Sequence, residues 1–154
     1  MFQNKKHLFF DLDHTLWDYE TNSAETLSEL WRKYELNNHK VKLDDFLHTF
    51  STVNDKMWDD FHEGIISKDI IRIERFPKIF KALNIDLNAK ATEMQTDYIN
   101  VCPTKPALVD GVSELLELVH GNYELHIITN GFDEIQGTKL TSGGRGFIFV
   151  GRKI

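Results

Sequence analysis

The chain has 154 residues, of which 41% are hydrophobic and 27% are charged, and its net charge is −6. This composition is typical of a soluble globular protein and excludes an intrinsically disordered chain. The acidic balance argues against binding to nucleic acid polymers or to a membrane surface. The single cysteine, Cys102, excludes a disulfide framework within the chain, and no apolar run is long enough for a signal peptide or a membrane span. We therefore expect a cytoplasmic protein.

The first part of the chain predicts one strand followed by a block of helices. Residues 7–12 are short, apolar and aromatic, which predicts a buried strand. Residues 20–101 then show helical spacing in four consecutive segments. Thr21 or Asn22 is expected to cap the first of these helices. Arg75, on the third, is expected to face solvent, with contact to a substrate as the alternative.

The rest of the chain alternates helices and strands. After a hinge with Pro and Gly at 102–111, the pattern predicts helix 112–120, strand 123–129, helix 132–140, the glycine-rich segment 141–146 and strand 147–150. Apart from the helical block the order is βαβαβ, which is typical of a parallel sheet with right-handed crossovers. The sequence thus predicts an α/β fold whose parallel sheet is interrupted after its first strand by a helical insertion.

Two aspartates follow the first predicted strand in the stretch DLDHT, residues 11–15. In an open parallel sheet, ligands bind beyond the carboxyl ends of the strands. Asp11 and Asp13 are two positions apart, so their side chains are expected on the same side, where they repel each other unless a cation lies between them. Mg²⁺ meets this need, because it binds through one or two carboxylates together with a substrate phosphate.

A candidate anion site follows the second predicted strand, in the stretch ITNG, residues 128–131. If the two strands are neighbours, the hydroxyl of Thr129 lies beside Asp11 and can donate to an anion. The backbone N–H groups of Asn130 and Gly131 precede a helix, and the start of a helix binds anions readily. One strand end therefore offers carboxylates for a metal and the next offers a phosphate site, which together suit phosphoryl transfer.

Other interpretations of these and further polar residues are weaker. A calcium loop starting at Asp11 would need glycine where Leu16 stands and glutamate where Asn22 stands. Trp17 and Tyr19 follow the candidate loop and either contact substrate or brace a hinge. The histidines show no metal-ligand spacing and are expected to be structural or exposed; they are residues 7, 14, 39, 48, 62, 120 and 126.

Several stretches resemble haloacid dehalogenase-like (HAD) hydrolases. DLDHT resembles the DxDxT first motif of that superfamily, and ITNG resembles its second motif. The stretches GIISKDIIRIERF and ITNGFDEIQGTKL most resemble the pyrimidine 5′-nucleotidase branch. The resemblance implies a Rossmann-like parallel core made of residues 1–17 and 103–154, with three strands present, and an all-helical cap over residues 18–102.

The resemblance also implies an activity and the residues that carry it. Asp11 would be the nucleophile that forms an aspartyl-phosphate, and Asp13 the general acid and then the base for water. Asp11 and the backbone carbonyl of Asp13 would bind Mg²⁺, and Thr129 and Asn130, with Gly131, would hold the phosphoryl group. The implied function is a Mg²⁺-dependent phosphatase for nucleoside monophosphates, with a sugar-phosphate or phosphoglycolate phosphatase as the alternative.

The sequence departs from the superfamily pattern at its carboxyl end. A motif lysine after the third core strand and an acidic pair after the fourth are not recognised, because the sequence ends in GFIFVGRKI. Lys153 is too close to the last strand for the lysine role, and Lys139 lies on the preceding helix. We therefore expect a C-terminally truncated core whose exposed sheet edge favours self-association. A non-catalytic remnant or phosphate-binding pseudoenzyme is the alternative from another functional class.

Overall fold

The computed structural model describes residues 6–86, 88–143 and 149–153. It confirms an α/β fold with a three-stranded parallel sheet and a helical block inserted after the first strand. The strands are β1 (His7–Phe10), β2 (Glu124–Ile128) and β3 (Phe149–Lys153), and the α-helices are α1 (Tyr19–Lys33), α2 (Leu43–His62), α3 (Lys68–Ala82), α4 (Asn88–Val101), α5 (Val112–Val119) and α6 (Asp133–Gly143). Short 3₁₀ helices cover Leu36–His39 and Cys102–Thr104.

The chain divides into two compact units. Residues 1–23 and 101–154 form the sheet unit, and residues 24–100 form the helical unit. The prediction placed these divisions at 17/18 and 102/103. No described helix combines the length and the apolar character that crossing a bilayer requires.

The sheet has the order β1-β2-β3, with both pairs parallel. His7 pairs with Glu124 and Phe10 with Ile127, so β1 and β2 end at the same edge of the sheet. The predicted start of β3 at residue 147 lies outside the described residues, as does the second half of the predicted glycine-rich segment, residues 144–146.

Strand β2 is buried on one face only. Leu125 and Ile127 are buried, whereas Phe9 on β1 is 61% exposed and Ile128 on β2 is 45% exposed. The prediction of a buried first strand was therefore wrong, and the prediction of a buried second strand holds for one face only. Side chains alternate between the two faces of a strand, and among the described residues the apolar packing lies on one of these faces.

Helix α1 begins earlier than the sequence predicted. The carboxylate of Asp18 accepts hydrogen bonds from the backbone N–H of Thr21 at 3.0 Å and from its hydroxyl at 2.6 Å. These bonds lower the pKa of Asp18 and satisfy an N–H group of the first turn. Asp18 therefore caps the helix, and the prediction of Thr21 or Asn22 as the cap was wrong. Asn22 is instead buried, and its side chain bonds the backbone of Ala107 in both directions.

The helical unit packs around an aromatic core with a buried cation at its centre. Arg75 is only 4% exposed, and its guanidinium lies 4.7 Å from the ring centre of Tyr98 and 5.3 Å from that of Phe50. It donates to the side-chain oxygen of Asn54 at 3.0 Å and to that of Gln95 at 3.4 Å. The expectation that Arg75 faces solvent was wrong, because aromatic faces and amide oxygens replace water around its charge.

Candidate active site

A tight backbone loop after β1 fixes the two candidate aspartates. The N–H groups of Leu16 and Trp17 both donate to the carbonyl of Leu12 at 2.9 Å. His14 has a φ of 62°, a left-handed conformation that reverses the chain at this point. The loop leaves Asp11 exposed at the end of the strand and Asp13 partly buried.

The strand register brings Thr129 to the same edge of the sheet as Asp11. Phe10 is paired with Ile127, so Asp11, the first residue after β1, comes next to Ile128, the last residue of β2, and Thr129 follows. A cleft of about 180 Å³ lies at this edge, and Asp11, Thr129 and Asn130 contribute to its lining. The structure thus brings together the residues that the two sequence motifs singled out.

The hydroxyl of Thr129 is oriented by two donors. Thr129 is 3% exposed, and its Oγ1 accepts from the backbone N–H of Gly131 at 3.3 Å and from Nε2 of Gln136 at 3.0 Å. A hydroxyl has two acceptor lone pairs and one proton. With both lone pairs engaged, Thr129 can only donate to a further partner, as an anion requires.

Gln136 connects the two motifs. It is fully buried on α6, and its Nε2 donates to Oγ1 of Thr129 and to Oδ2 of Asp13, each at 3.0 Å. Both protons of the amide nitrogen are thereby used, while Oε1 is buried and has no hydrogen-bond partner among the residues that the structure describes. If the amide were rotated by 180°, Oε1 would face the carboxylate of Asp13, and neither oxygen could donate to the other. The contact with Asp13 therefore identifies the atom that faces it as Nε2.

Lys139 holds the other oxygen of Asp13. Its Nζ lies 2.6 Å from Oδ1, and the Lys139 side chain is 7% exposed against 25% for Asp13. The same ammonium lies 4.4 Å from the ring centre of Trp17, which is fully buried and donates its indole N–H to the carbonyl of Lys105. Trp17 therefore supports the cation beneath Asp13.

Sequence reasoning missed Gln136 and Lys139, although the sequence contains a signal for both. Phe132, Ile135 and Leu140 have the spacing of the buried face of α6, and Gln136 and Lys139 fall on the same stripe. Polar residues at core positions are unusual and need partners. The partners lie on distant segments, which the sequence alone did not reveal.

The predicted anion-binding backbone after β2 is only partly formed. The N–H of Gly131 points to Thr129 instead of outward, and α6 begins at Asp133, one residue later than predicted. Asn130 is exposed at the cleft. A methyl group on Gly131 would overlap the side-chain amide of Gln136. Glycine is therefore needed here for the space that Gln136 occupies.

The donor set fits one arrangement of Mg²⁺ and not another. Asp11 presents an exposed carboxylate, which the hydroxyl of Thr15 approaches at 3.5 Å. The carboxylate of Asp13 is occupied by Lys139 and Gln136. The carboxylate of Asp11 is therefore available to a Mg²⁺ ion, whose coordination the resemblance would complete with the backbone carbonyl of Asp13 and a phosphate oxygen. The two residues do not fit an ion held by both aspartate side chains.

No family model matches the chain. Among curated proteins it is 25% identical over 137 residues to the HAD-hydrolase YfnB of Bacillus subtilis, covering 89% of this chain and 56% of YfnB. It is 26% identical over 137 residues to the pyrimidine 5′-nucleotidase YjjG of Escherichia coli, with the same coverages of 89% and 56%. The pyrimidine 5′-nucleotidase PynA of Streptococcus pneumoniae is 25% identical over 140 residues, covering 90% of this chain and 56% of PynA. The chain thus spans about half the length of these relatives.

Solved structures show the same fold. The crystal structure of YfnB, described as bound to magnesium, superposes with a TM-score of 0.81 at 23% identity, over 97% of this chain and 63% of YfnB. The L-2-haloacid dehalogenase of Xanthobacter autotrophicus superposes with a TM-score of 0.66 at 13% identity, over 97% of this chain and 56% of the dehalogenase. The chain is thus similar in sequence to a HAD-hydrolase and to pyrimidine 5′-nucleotidases, and it shares the fold of haloacid dehalogenase-like structures.

Proposed function

We propose that the chain carries the nucleophile and phosphate site of a Mg²⁺-dependent phosphatase that hydrolyses nucleoside monophosphates. The observation that carries the proposal is the difference in environment between the carboxylates of Asp11 and Asp13. Asp11 is exposed at the cleft, whereas Asp13 is held by Lys139 and Gln136, and Gln136 also orients Thr129. An exposed carboxylate next to an oriented one suits nucleophilic catalysis with a separate acid–base group.

The reaction would proceed in two steps. The carboxylate of Asp11 attacks phosphorus, the ester oxygen leaves with a proton from Asp13, and an aspartyl-phosphate remains. Asp13 then takes a proton from water, whose oxygen attacks the phosphorus and releases phosphate and free Asp11. Thr129 donates its hydroxyl to the phosphoryl oxygens throughout. Lys139 and Gln136 keep Asp13 in position between the two proton transfers.

Mg²⁺, held by Asp11 and the backbone carbonyl of Asp13, would supply positive charge against the phosphoryl oxygens. Because Lys139 lies against Asp13, the site contains a cation of its own. This position on α6 differs from that of the motif lysine that the resemblance implies, after the third core strand.

The presence of Asp13 favours a phosphatase over a dehalogenase. Departure of a halide needs no proton donor, whereas departure of an alkoxide does. Two of the curated relatives are named pyrimidine 5′-nucleotidases, which supports nucleoside monophosphates as the substrate class. A sugar phosphate or phosphoglycolate is the alternative substrate for the same chemistry.

The test is hydrolysis of p-nitrophenyl phosphate by the 154-residue chain, with Mg²⁺ and with EDTA, beside Asp11→Asn and the control Asp110→Asn, an exposed loop aspartate. We expect metal-dependent turnover that Asp11→Asn abolishes and Asp110→Asn retains. Acid quenching with labelled substrate should trap a phosphoenzyme in the wild type only. A panel of nucleoside monophosphates, sugar phosphates and phosphoglycolate then ranks the substrates.

Two outcomes would contradict the proposal. Turnover that survives Asp11→Asn would exclude Asp11 as the nucleophile. A folded chain that binds phosphate or vanadate without any turnover would favour the non-catalytic alternative, a phosphate-binding protein. Circular dichroism of each variant separates loss of the fold from loss of the reaction.

A further inference from the structure

Two histidines that are far apart in the sequence meet a glutamate at the other end of the sheet. His7 and Glu124 open β1 and β2 and are paired in register. His126 lies two residues after Glu124, so both side chains project from the same face of β2. The seven histidines showed no metal-ligand spacing in the sequence, because parallel pairing of distant strands creates this cluster.

The ligand atoms of the three side chains converge on one point. Nδ1 of His7 lies 3.0 Å from Nε2 of His126 and 3.1 Å from Oε2 of Glu124. One ligand atom from each residue can be chosen so that all three lie within 4.8 Å of one another. At a tetrahedral ion with bonds of about 2.0–2.1 Å, neighbouring ligand atoms are about 3.3 Å apart. The observed separations of His7 from its two partners are close to this value.

Hydrogen bonding alone accounts for only part of this arrangement. Nδ1 of His7 carries at most one proton, so it can donate fully to His126 or to Glu124, but not to both. A cation in place of that proton would attract all three ligand atoms at once. Phe9 stacks on His126, with ring centres 4.6 Å apart and planes inclined by 19°, and so restrains the orientation of that imidazole.

We propose that His7, Glu124 and His126 bind a zinc-class transition-metal ion, with water completing the coordination. Two imidazoles and one carboxylate suit Zn²⁺, Ni²⁺ or Cu²⁺, whereas Mg²⁺ prefers oxygen ligands. The site is separate from the proposed Mg²⁺ position, because Asp11 lies four residues further along the chain, about 13 Å at 3.3 Å per residue. It does not depend on the proposed function, and it would tie β1 to β2 at the start of both strands.

The test uses the full chain without a histidine tag. Isothermal titration with Zn²⁺ should show one ion per chain, and the melting temperature should rise with Zn²⁺ concentration, since the ion binds the folded state. His7→Ala and His126→Ala should each lower the affinity at least tenfold. The matched control His48→Ala, an exposed histidine on α2, should leave both readouts unchanged.

Mg²⁺ serves as the metal control. Any change in melting temperature that Mg²⁺ causes should be the same in the wild type and in His126→Ala. His126→Gln serves as a second variant of similar size if the alanine variant does not fold. Zn²⁺ affinity that is equal in the wild type and in a folded His7 or His126 variant would overturn the proposal. So would the absence of stoichiometric Zn²⁺ binding by the folded wild type.

Discussion

Nζ of Lys139 lies 2.6 Å from Oδ1 of Asp13, although the two residues are 126 positions apart in the sequence. The contact joins the loop after β1 to the helix after β2. The two segments that carry the sequence motifs are therefore linked by a charge pair as well as by the strand pairing. Gln136, one helical turn earlier, reinforces the link on the second oxygen of the same carboxylate.

Replacing Lys139 by Met removes the cation beside Asp13 while keeping most of the side-chain volume. We expect kcat for phosphate ester hydrolysis to fall about 10²-fold, the usual loss when one charged or dipolar group that stabilises a transition state is removed. The free energy of unfolding should fall by only about 1–2 kcal/mol, because Asp13 keeps the hydrogen bond from Gln136 and some contact with water.

The matched control is Lys81→Met, an exposed lysine at the end of α3 in the helical unit. Steady-state kinetics and urea unfolding of the wild type and both variants give the comparison. Full activity in Lys139→Met would show that this cation is not part of the catalytic machinery.

Replacing Gly131 by Ala tests whether Gln136 must occupy its position. The added methyl group overlaps the amide of Gln136, so the amide has to leave Asp13 and Thr129. We expect about a tenfold loss of kcat, which corresponds to about 1.4 kcal/mol of transition-state stabilisation. Inhibition by vanadate should weaken in parallel, since Thr129 loses one of its orienting donors.

Gly121→Ala is the control for this substitution, because a methyl group at Gly121 meets no atom within 4 Å. The side-chain amide resonances of Gln136 report the displacement directly by NMR. If these resonances and the activity are the same in Gly131→Ala and the wild type, Gln136 does not orient the site.

Arg75→Leu should destabilise the helical unit. The change removes the cation that lies against the rings of Phe50 and Tyr98. It also removes the Arg75 donor to the side-chain oxygens of Asn54 and Gln95. A buried acceptor without a partner costs about 1–3 kcal/mol, so we expect the free energy of unfolding to fall by about 2–4 kcal/mol. Chemical unfolding followed by circular dichroism measures this, with exposed Arg32→Leu as the control. Equal stability of the two variants would mean that the aromatic core tolerates a neutral residue at this position.

Local patterns in the sequence predicted the elements, and long-range pairing determined the contacts. The apolar run before Asp11 and the helical spacing of residues 20–101 depend on neighbours within one or two turns, so the strand, the helices and the edge of the sheet with Asp11 and Thr129 were predictable. The contact of Lys139 with Asp13 was missed and Arg75 was wrongly expected to face solvent, because the partners of both residues lie on other segments. The same holds for His7 and His126, which only the register of β1 and β2 brings together.

Asp97 should make the stability of the helical unit depend on pH in the acid range. Partial burial of its carboxylate raises the pKa. Hydrogen bonds from Lys33 at 2.7 Å and Tyr34 at 2.6 Å lower the pKa by more than burial raises it, so the pKa lies below the ordinary 3.8. A carboxylate whose pKa is lowered by folding stabilises the fold at pH values above its ordinary pKa. This stabilisation is lost as the pH falls through the folded-state pKa. Asp97→Asn should therefore be less stable than the wild type at neutral pH and lose less stability on acidification. Urea unfolding at neutral pH and below pH 3.8, with exposed Asp86→Asn as control, tests this.

Tyr34 should give the same cluster a second pH dependence in the alkaline range. Burial and the hydrogen bond to Asp97 both raise the pKa of its phenol well above the ordinary 10.0. A phenol whose pKa is raised by folding stabilises the fold at pH values below its ordinary pKa. This stabilisation is lost as the pH rises through the folded-state pKa. In an ultraviolet titration Tyr34 should therefore ionise well above the ordinary pKa of 10.0, and Tyr34→Phe should remove this late step. Tyr123→Phe, at the start of the second strand, should leave it in place. Ionisation of Tyr34 near the ordinary pKa of 10.0 in the folded chain would contradict its hydrogen bond with Asp97.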